Sequence, residues 1–397
     1  MADAILVVNA GSSSIKFALY DLAGAGQFTT IAHGQIEGIG TAPHLLVLGP
    51  AHEVRAERYW PVGESHTHED LLDPLLTLIE KELAGEALRA VGHRVVHGGE
   101  RHFGPALVDA ALLEALAKLT PLAPLHQPHN LAAIRAIAAL RPGLPQVACF
   151  DTAFHHGIAP VVSRLALPRS FAEEGVRRYG FHGLSYEFIA RALAACAPTL
   201  ARGKVIAAHL GNGASLCAMD AGQSVDTTMG FTALDGLVMG TRTGSIDPGA
   251  VLYLMQQHRL DAAAIEDLLY HRSGLLGVSG ISADMRTLLA SRDPRAREAV
   301  ELFVFRAARE IGALSASLGG LDGVVFTAGI GEHAPDIRAA IAARLTWLGA
   351  ILDRDENARP TTGPRRISAK DSRLALWVIP TDEEAMIAEH TRSLTAG

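Results

Sequence analysis

Two arginines of this chain stand among glycines: Arg94 in Gly92-His93-Arg94-Val95-Val96-His97-Gly98-Gly99 and Arg242 in Gly240-Thr241-Arg242-Thr243-Gly244. A guanidinium is a planar fork of N–H donors that matches carboxylate or phosphate oxygens two at a time. A structural ion pair with a buried acid is the other reading of each, and glycine on both sides of Arg242 favours a ligand contact there. His182, in Arg177-Arg178-Tyr179-Gly180-Phe181-His182-Gly183, is placed to donate to a transferring phosphoryl group or to sit hydrogen-bonded in a core. Three small-residue turns follow strand-like runs: Gly11-Ser12-Ser13-Ser14, Leu210-Gly211-Asn212-Gly213-Ala214, and Ala328-Gly329-Ile330-Gly331-Glu332. Their backbone N–H groups can converge on phosphate oxygens, because small side chains let a ligand approach the main chain. Each alone is more simply a tight turn, but together they could hold one polyphosphate. The patterns GxxxxGK[ST] and GxGxxG are absent, so neither the Walker nor the Rossmann mode applies.

Thr381-Asp382-Glu383-Glu384 has the composition of a helix start, with Thr as cap and acids on the positive end of the dipole. The functional alternative is that Glu383 reaches a magnesium ion beside a bound polyphosphate. His126 and His129, with Asp151, His155 and His156, invite a zinc reading. Pro128 between the first pair argues against helical ligand spacing, and a structural or substrate-facing role is expected instead.

These groups need a scaffold. Residues 5–8 and 15–20 read as strands around the first turn, residues 71–83, 110–119 and 131–140 as amphipathic helices, and residues 146–150 as a buried strand ending on Asp151. The second half repeats the opening: strand 205–209, turn, returning strand 215–219. Residues 323–327 run into the third turn and then a helix with Pro335 in its first turn and Ile337, Ile341 and Leu345 on one face. Two related α/β lobes follow, with a weak internal repeat and a ligand expected in the cleft between them.

Composition fits. The 397 residues are 49% hydrophobic with 39 glycines and 3 cysteines, enough for two lobes with cores of their own and too apolar for disorder. A net charge of −7 provides no global field for a nucleic-acid backbone. Cys149, Cys196 and Cys217 are unpaired by spacing, which suggests a reducing compartment. Asp3 stands where a secretory signal carries Lys or Arg, and no apolar run approaches the ~18 residues of a membrane span. A cytoplasmic protein with no nucleic-acid or membrane partner is expected.

Val7-Val8-Asn9-Ala10-Gly11-Ser12-Ser13-Ser14-Ile15-Lys16-Phe17 together with Arg178-Tyr179-Gly180-Phe181-His182-Gly183 resembles the two signatures of the acetate kinase family. Residues 92–100, 150–155, 209–213, 239–248, 326–332 and 380–384 support the likeness in the same order. The resemblance implies two duplicated ribonuclease-H-like lobes of the actin, Hsp70 and sugar-kinase superfamily around a nucleotide cleft. It implies an N-terminal lobe of residues 1–150 with 381–397, carrying the acyl and magnesium side. A C-terminal lobe of residues 151–380 would carry nucleotide binding and dimerisation. It also implies a homodimer that transfers the γ-phosphoryl group of ATP reversibly to acetate, giving ADP and acetyl phosphate, and a part in acetyl-CoA biosynthesis. Magnesium is the implied cofactor, with manganese able to substitute.

Carried over residue by residue, Asn9 and Glu383 fall on metal positions, Arg94 on the carboxylate site, Asp151 on the active-site acid, and His182 and Arg242 on transition-state stabilisers. Lys16, Ser12, Ser14, His209, Leu210, Gly211, Asn212, Gly213, Asp284, Met285, Arg286, Gly329, Ile330, Gly331, Glu332 and His333 fall on nucleotide contacts. Val96 and Leu125 should line the acyl pocket. Ala233 stands where the family often has proline in that pocket, so propionate is the alternative substrate, since one methylene is worth only about 1–3 kcal/mol of discrimination. Butyrate kinases have a different opening turn.

A small carboxylic acid is already ionised at neutral pH, with a pKa near ~4. Transfer therefore needs no general base, only in-line positioning and charge neutralisation. Asp151 is then expected to orient Arg94 or the metal. Two other classes compete: a phosphohydrolase of the same superfamily, acting on acyl phosphate or polyphosphate, and a nucleotide-binding switch that transfers nothing.

Overall fold

The computed structural model describes residues 3–11, 13–22, 28–61, 66–83 and 87–395. The chain divides into two compact units, Met1–Ala153 with Asp382–Gly397, and Phe154–Thr381.

In the first unit the described residues form eight strands: β1 (Asp3–Ala10), β2 (Ser14–Asp21), β3 (Thr29–Glu37), β4 (His44–Leu48), β5 (Val54–Tyr59), β6 (Ala87–Val95), β7 (Ala106–Leu107) and β8 (Gln146–Phe150). They make one sheet of order β5-β4-β3-β2-β1-β6-β8-β7. β1 pairs antiparallel with β2 and parallel with β6, and β6 pairs parallel with β8. A strand covered on both faces reads as a continuous apolar run, and Ile5, Leu6, Val7 and Val8 are all buried. On one face Ala4, Leu6, Val8 and Ala10 share a core with the helices His68–Glu82 and Gln127–Leu140. The helix Glu383–Thr395 also packs on β1, β6 and β8. It comes close because residue 92 is glycine: a Cβ there would lie 2.3 Å from Thr391 Oγ1 and 2.5 Å from Ile387 Cγ2.

The second unit has six described strands, β9 (Lys204–Leu210), β10 (Ala214–Asp220), β11 (Gln223–Thr227), β12 (Gly323–Thr327), β13 (Arg365–Arg366) and β14 (Ala375–Val378), in the order β11-β10-β9-β12-β14-β13. β9 pairs antiparallel with β10 and parallel with β12, which pairs parallel with β14. The run β11-β10-β9-β12-β14 thus has the same sense of pairing as β3-β2-β1-β6-β8. The repeat extends well beyond the two opening hairpins, and each unit is a ribonuclease-H-like α/β layer. Tyr186, Ile189 and Leu193 of the helix Gly183–Cys196 pack against Val205, Ala207, Cys217 and Met219.

Some local expectations are corrected. Residues 328–333 are a short helix, Ala328–His333, rather than a turn, so Gly329 and Gly331 lie within the first turns after β12. Pro128 sits in the first turn of the helix Gln127–Leu140, where a missing N–H costs nothing, so it does not interrupt helical geometry. The last helix is capped by Asp382, whose Oδ1 accepts from Ala385 N at 2.8 Å, and not by Thr381, whose Oγ1 lies 3.0 Å from Ser185 Oγ. No helix among the described residues is long and apolar enough to cross a membrane.

Candidate active site

Parallel strands of an open sheet present their C-terminal ends to ligands, and the first unit uses three of them. Asn9 lies near the end of β1, Arg94 near the end of β6, and Asp151 directly after β8. Arg94 Nε donates to Asp151 Oδ1 at 2.9 Å, Nη2 donates to Asp151 Oδ2, and Nη1 donates to Asn9 Oδ1 at 3.3 Å. Glu383 Oε2, brought by the start of the last helix, stands 3.9 Å from Arg94 Nε. Burial works against the charge on Arg94, but Asp151 and then Glu383 outweigh it and hold the guanidinium above its ordinary range. Arg94 is therefore a fixed cation. Burial pushes the Glu383 carboxyl up to about 7, against the opposing pull of Arg94.

Lys16 is exposed on β2 in register with Asn9. Ser14 opens β2, and Ser12 lies outside the described residues. Val96 is buried and Leu125 half-buried. Asn130 carries no signal in the sequence pattern, yet its Nδ2 donates to Ala10 O at 2.6 Å and its Oδ1 accepts from Val96 N at 3.0 Å. It ties the exits of β1 and β6 together. Gln127, one turn earlier, accepts from His97 N and donates to His97 O and Leu116 O. Both amides begin the buried face of their helix.

The second unit gathers His182, His209, Arg242 and the turn at Gly211–Gly213. Arg178 Nη1 donates to the carbonyls of Thr227 and Met229 at 2.9 Å each, strapping the segment that ends in His182. His182 itself has φ 59° at the start of its helix, a left-handed conformation uncommon outside glycine and found at functional sites. Its ring stacks on that of His209 with centroids 4.1 Å apart. Arg242 Nη1 donates to Ala233 O at 2.7 Å, so Ala233 is joined to this cluster through its carbonyl. A Cβ on Gly213 would lie 3.1 Å from Arg242 Nη2 and 3.3 Å from His182 Nε2. Glycine at 213 keeps that space open.

Among the positions expected to contact nucleotide, Leu210 is the buried end of β9, and Asn212 O accepts from Gly240 N at 2.9 Å. His209 and Thr327 are register partners of β9 and β12. That pairing sets the Gly211 turn beside the start of the helix Ala328–His333: a Cβ on Gly211 would lie 3.7 Å from Ala328 Cβ. Gly329 and His333 are exposed, Ile330 half-buried and Gly331 buried, and Glu332 Oε1 accepts from Thr381 N at 3.1 Å. Asp284 caps the helix Met285–Ala290 and pairs with exposed Arg286 at 2.7 Å, while Met285 is buried. Arg94 in the first unit, and Arg242 with His182 in the second, are groups of the kind that engage carboxylate or phosphoryl oxygens, the latter pair beside the Gly211–Gly213 turn.

A model of the acetokinase family matches residues 4–389. The acetate kinase of Rhodopseudomonas palustris (strain ATCC BAA-98 / CGA009) is 55% identical over 402 residues, covering 100% of both sequences. The crystal structure of Porphyromonas gingivalis acetate kinase superposes with a TM-score of 0.89 at 35% identity over 99% of each chain. That of a propionate kinase from Francisella tularensis subsp. tularensis SCHU S4 gives 0.89 at 36% identity, over 98% of this chain and 99% of the other.

Proposed function

The chain belongs to the acetokinase family, and on that premise we propose that it is an acetate kinase, a phosphotransferase with a carboxyl group as acceptor. A carboxylate oxygen of acetate attacks the γ-phosphorus of ATP as the bond to the ADP oxygen breaks, giving acetyl phosphate; the same path runs in reverse. The observation that carries the reading is the clamped Arg94, held by both oxygens of Asp151 at the ends of parallel strands. A carboxylate whose two oxygens are engaged by a guanidinium orients that cation and is poorly placed to abstract a proton. None needs abstracting, since acetate is ionised at neutral pH.

Arg94 orients the acid, with Val96 and Leu125 lining the acyl side. Arg242 neutralises charge on the equatorial phosphoryl oxygens and His182 donates a hydrogen bond to them, and the segments at 209–213, 284–286 and 329–333, with Lys16, Ser12 and Ser14, bind nucleotide. Asn9 and Glu383 suit magnesium: both offer hard oxygen donors, and their oxygens, 3.3 and 3.9 Å from nitrogens of one guanidinium, lie in the same place. An ion that keeps most of its waters beside a polyphosphate asks for one or two such groups. When bound it supplies charge neutralisation at the phosphate oxygens.

The reading carries a homodimer and a cytoplasmic location with it. The helix Pro248–Gln257 supports the first: it has no buried residue and exposes Leu252, Tyr253 and Met255, an apolar face suited to a second copy.

The test is incubation with ATP, magnesium and acetate, propionate or butyrate, with hydroxylamine to trap acyl phosphate. Hydroxamate from acetate is expected, and from propionate to a degree set by the smaller Ala233. No hydroxamate from any acid sinks the kinase reading; phosphate release without an acid would point to the hydrolase.

A further inference from the structure

We propose that Ser215 and Ser185 are positioning residues that fix the tautomers of His182 and His209, so that each imidazole presents Nε2–H as a donor. The inference rests on the kinase reading for what those donors serve.

Two hydroxyl relays lie side by side in the second unit. In one, Ser215 Oγ is 2.8 Å from His182 Nδ1 and 2.5 Å from the Tyr186 hydroxyl. In the other, Ser185 Oγ is 2.8 Å from His209 Nδ1 and 3.0 Å from Thr381 Oγ1. Local sequence builds both. His182, Ser185 and Tyr186 are at i, i+3 and i+4 across the start of one helix, so their side chains share a face. His209 and Ser215 are directly paired residues of β9 and β10, so theirs share a face of the sheet. Ser185, Tyr186 and Ser215 are fully buried, and the two histidines nearly so.

A serine hydroxyl has one proton to donate and can accept another. A phenol is the stronger acid and the poorer acceptor, so Tyr186 donates to Ser215 and the Ser215 proton is directed to His182 Nδ1. An Nδ1 that accepts leaves the ring proton on Nε2. Ser185 and Thr381 stand in the same order on His209, and donation from Ser185 to Nδ1 leaves the proton of that ring on Nε2 as well. The stacked rings, 4.1 Å apart and 16° from parallel, disfavour a pair of imidazolium cations, which repel at that distance. For neutral rings the tautomer decides whether the outer nitrogen donates or accepts. Phosphate oxygens only accept, so the wrong tautomer would face them lone pair to lone pair. Gly213 keeps open the space bordered by His182 Nε2 and Arg242 Nη2, where the kinase reading puts the transferring group.

The decisive experiment is ¹H–¹⁵N long-range correlation on the ¹⁵N-histidine-labelled full chain near pH 7.5, with kinetics alongside. The wild type should show Nε2–H at both rings. Ser215→Ala and Tyr186→Phe, the second close to volume-neutral, should mix the His182 tautomers, and Ser215→Thr, which keeps the hydroxyl, should restore Nε2–H. In Ser215→Ala, kcat should drop about tenfold with KM for ATP within about threefold. That is less than the ~10²–10³ for outright loss of such a donor, because the ring remains. Ser185→Ala should act on His209 and raise KM for ATP about tenfold with kcat little changed. Nδ1–H or imidazolium at His182 in the wild type overturns the inference whatever the variants do. So does an unchanged tautomer and kcat in Ser215→Ala. Nε2–H at both rings in a protein that forms no acyl phosphate supports the relay and removes the kinase reading instead.

Discussion

Arg242 and Arg94 are each held in place by the fold, and in the proposed reaction each would also meet a substrate. The sequence left each arginine open between a ligand contact and a buried ion pair, and Arg94 is in an ion pair at the very place where a ligand would meet it. Pairing with Asp151 fixes the fork rather than using it up. Arg242 is held differently, by the Ala233 carbonyl on Nη1, with Nη2 bordering Gly213. Arg242→Ala should therefore lower kcat about 10³-fold, the range for a charged clamp on a phosphoryl group. Arg242→Lys should recover little of it, since an ammonium cannot hold the carbonyl and reach the phosphoryl group as a planar fork does. Steady-state kinetics with acetate and ATP decide this, and a loss below tenfold in Arg242→Ala takes that residue out of the mechanism. Asp151, expected to orient Arg94 or the metal, holds the guanidinium from 57 positions away, and it was the chemistry of the reaction rather than any local spacing that joined the two.

At the scale of elements, the exits of β1 and β6 are fastened by Asn130, and the cost of losing that fastening can be estimated. Asn130→Ala leaves Val96 N and Ala10 O unpaired in a buried place, which should cost about 1–3 kcal/mol and shift the urea midpoint of unfolding accordingly. An unchanged midpoint would mean that water or a backbone shift replaces the amide. The buried parallel strands were legible because β-branched and aliphatic runs have few alternatives, and β8 has the very bounds its sequence suggests. Asn130 was not legible, because its two partners lie 120 and 34 positions away. The helix Ala328–His333 was misread for a different reason. Gly329 and Gly331 argue against a helix by propensity, and Ala328 enters it with φ 63°, a conformation no composition rule anticipates. Tertiary packing overrides propensity there: a Cβ on Gly331 would lie 3.3 Å from the Phe326 carbonyl carbon. The cap of the last helix was misjudged by one residue for want of knowing that Thr381 is engaged with Ser185.

Over the whole molecule, buried histidines place the same acid sensitivity in both units. His93 and His97 in the first unit and His155 in the second are buried, and burial lowers each imidazole from about 6.5 to about 4. His155 is the best isolated test: its Nδ1 lies 2.8 Å from Ser224 Oγ and its Nε2 3.0 Å from Phe181 O, next to the strap that ends in His182. Between pH 6.5 and 4 the unfolded chain binds a proton at that position and the folded chain does not. Stability must therefore rise with pH through that window and fall as the solution is acidified, by up to about 1.4 kcal/mol per pH unit for each such histidine. The raised carboxyls act with the opposite sign. Glu383, held up at about 7, and Glu384, raised mainly by burial, are protonated in the folded chain at a pH where the unfolded chain has released the proton, so their contribution grows on acidification. The total slope mixes both, and the informative quantity is a difference between two proteins. His155→Gln keeps one donor and one acceptor without a titrating ring. Its stability should fall less steeply than that of the wild type between pH 6.5 and 4.5, with the two curves converging towards acid. Urea unfolding at intervals of half a pH unit measures both slopes. Parallel curves would mean that His155 binds its proton equally in the folded and unfolded chain, and that burial of this ring does not govern the acid limit of the second unit.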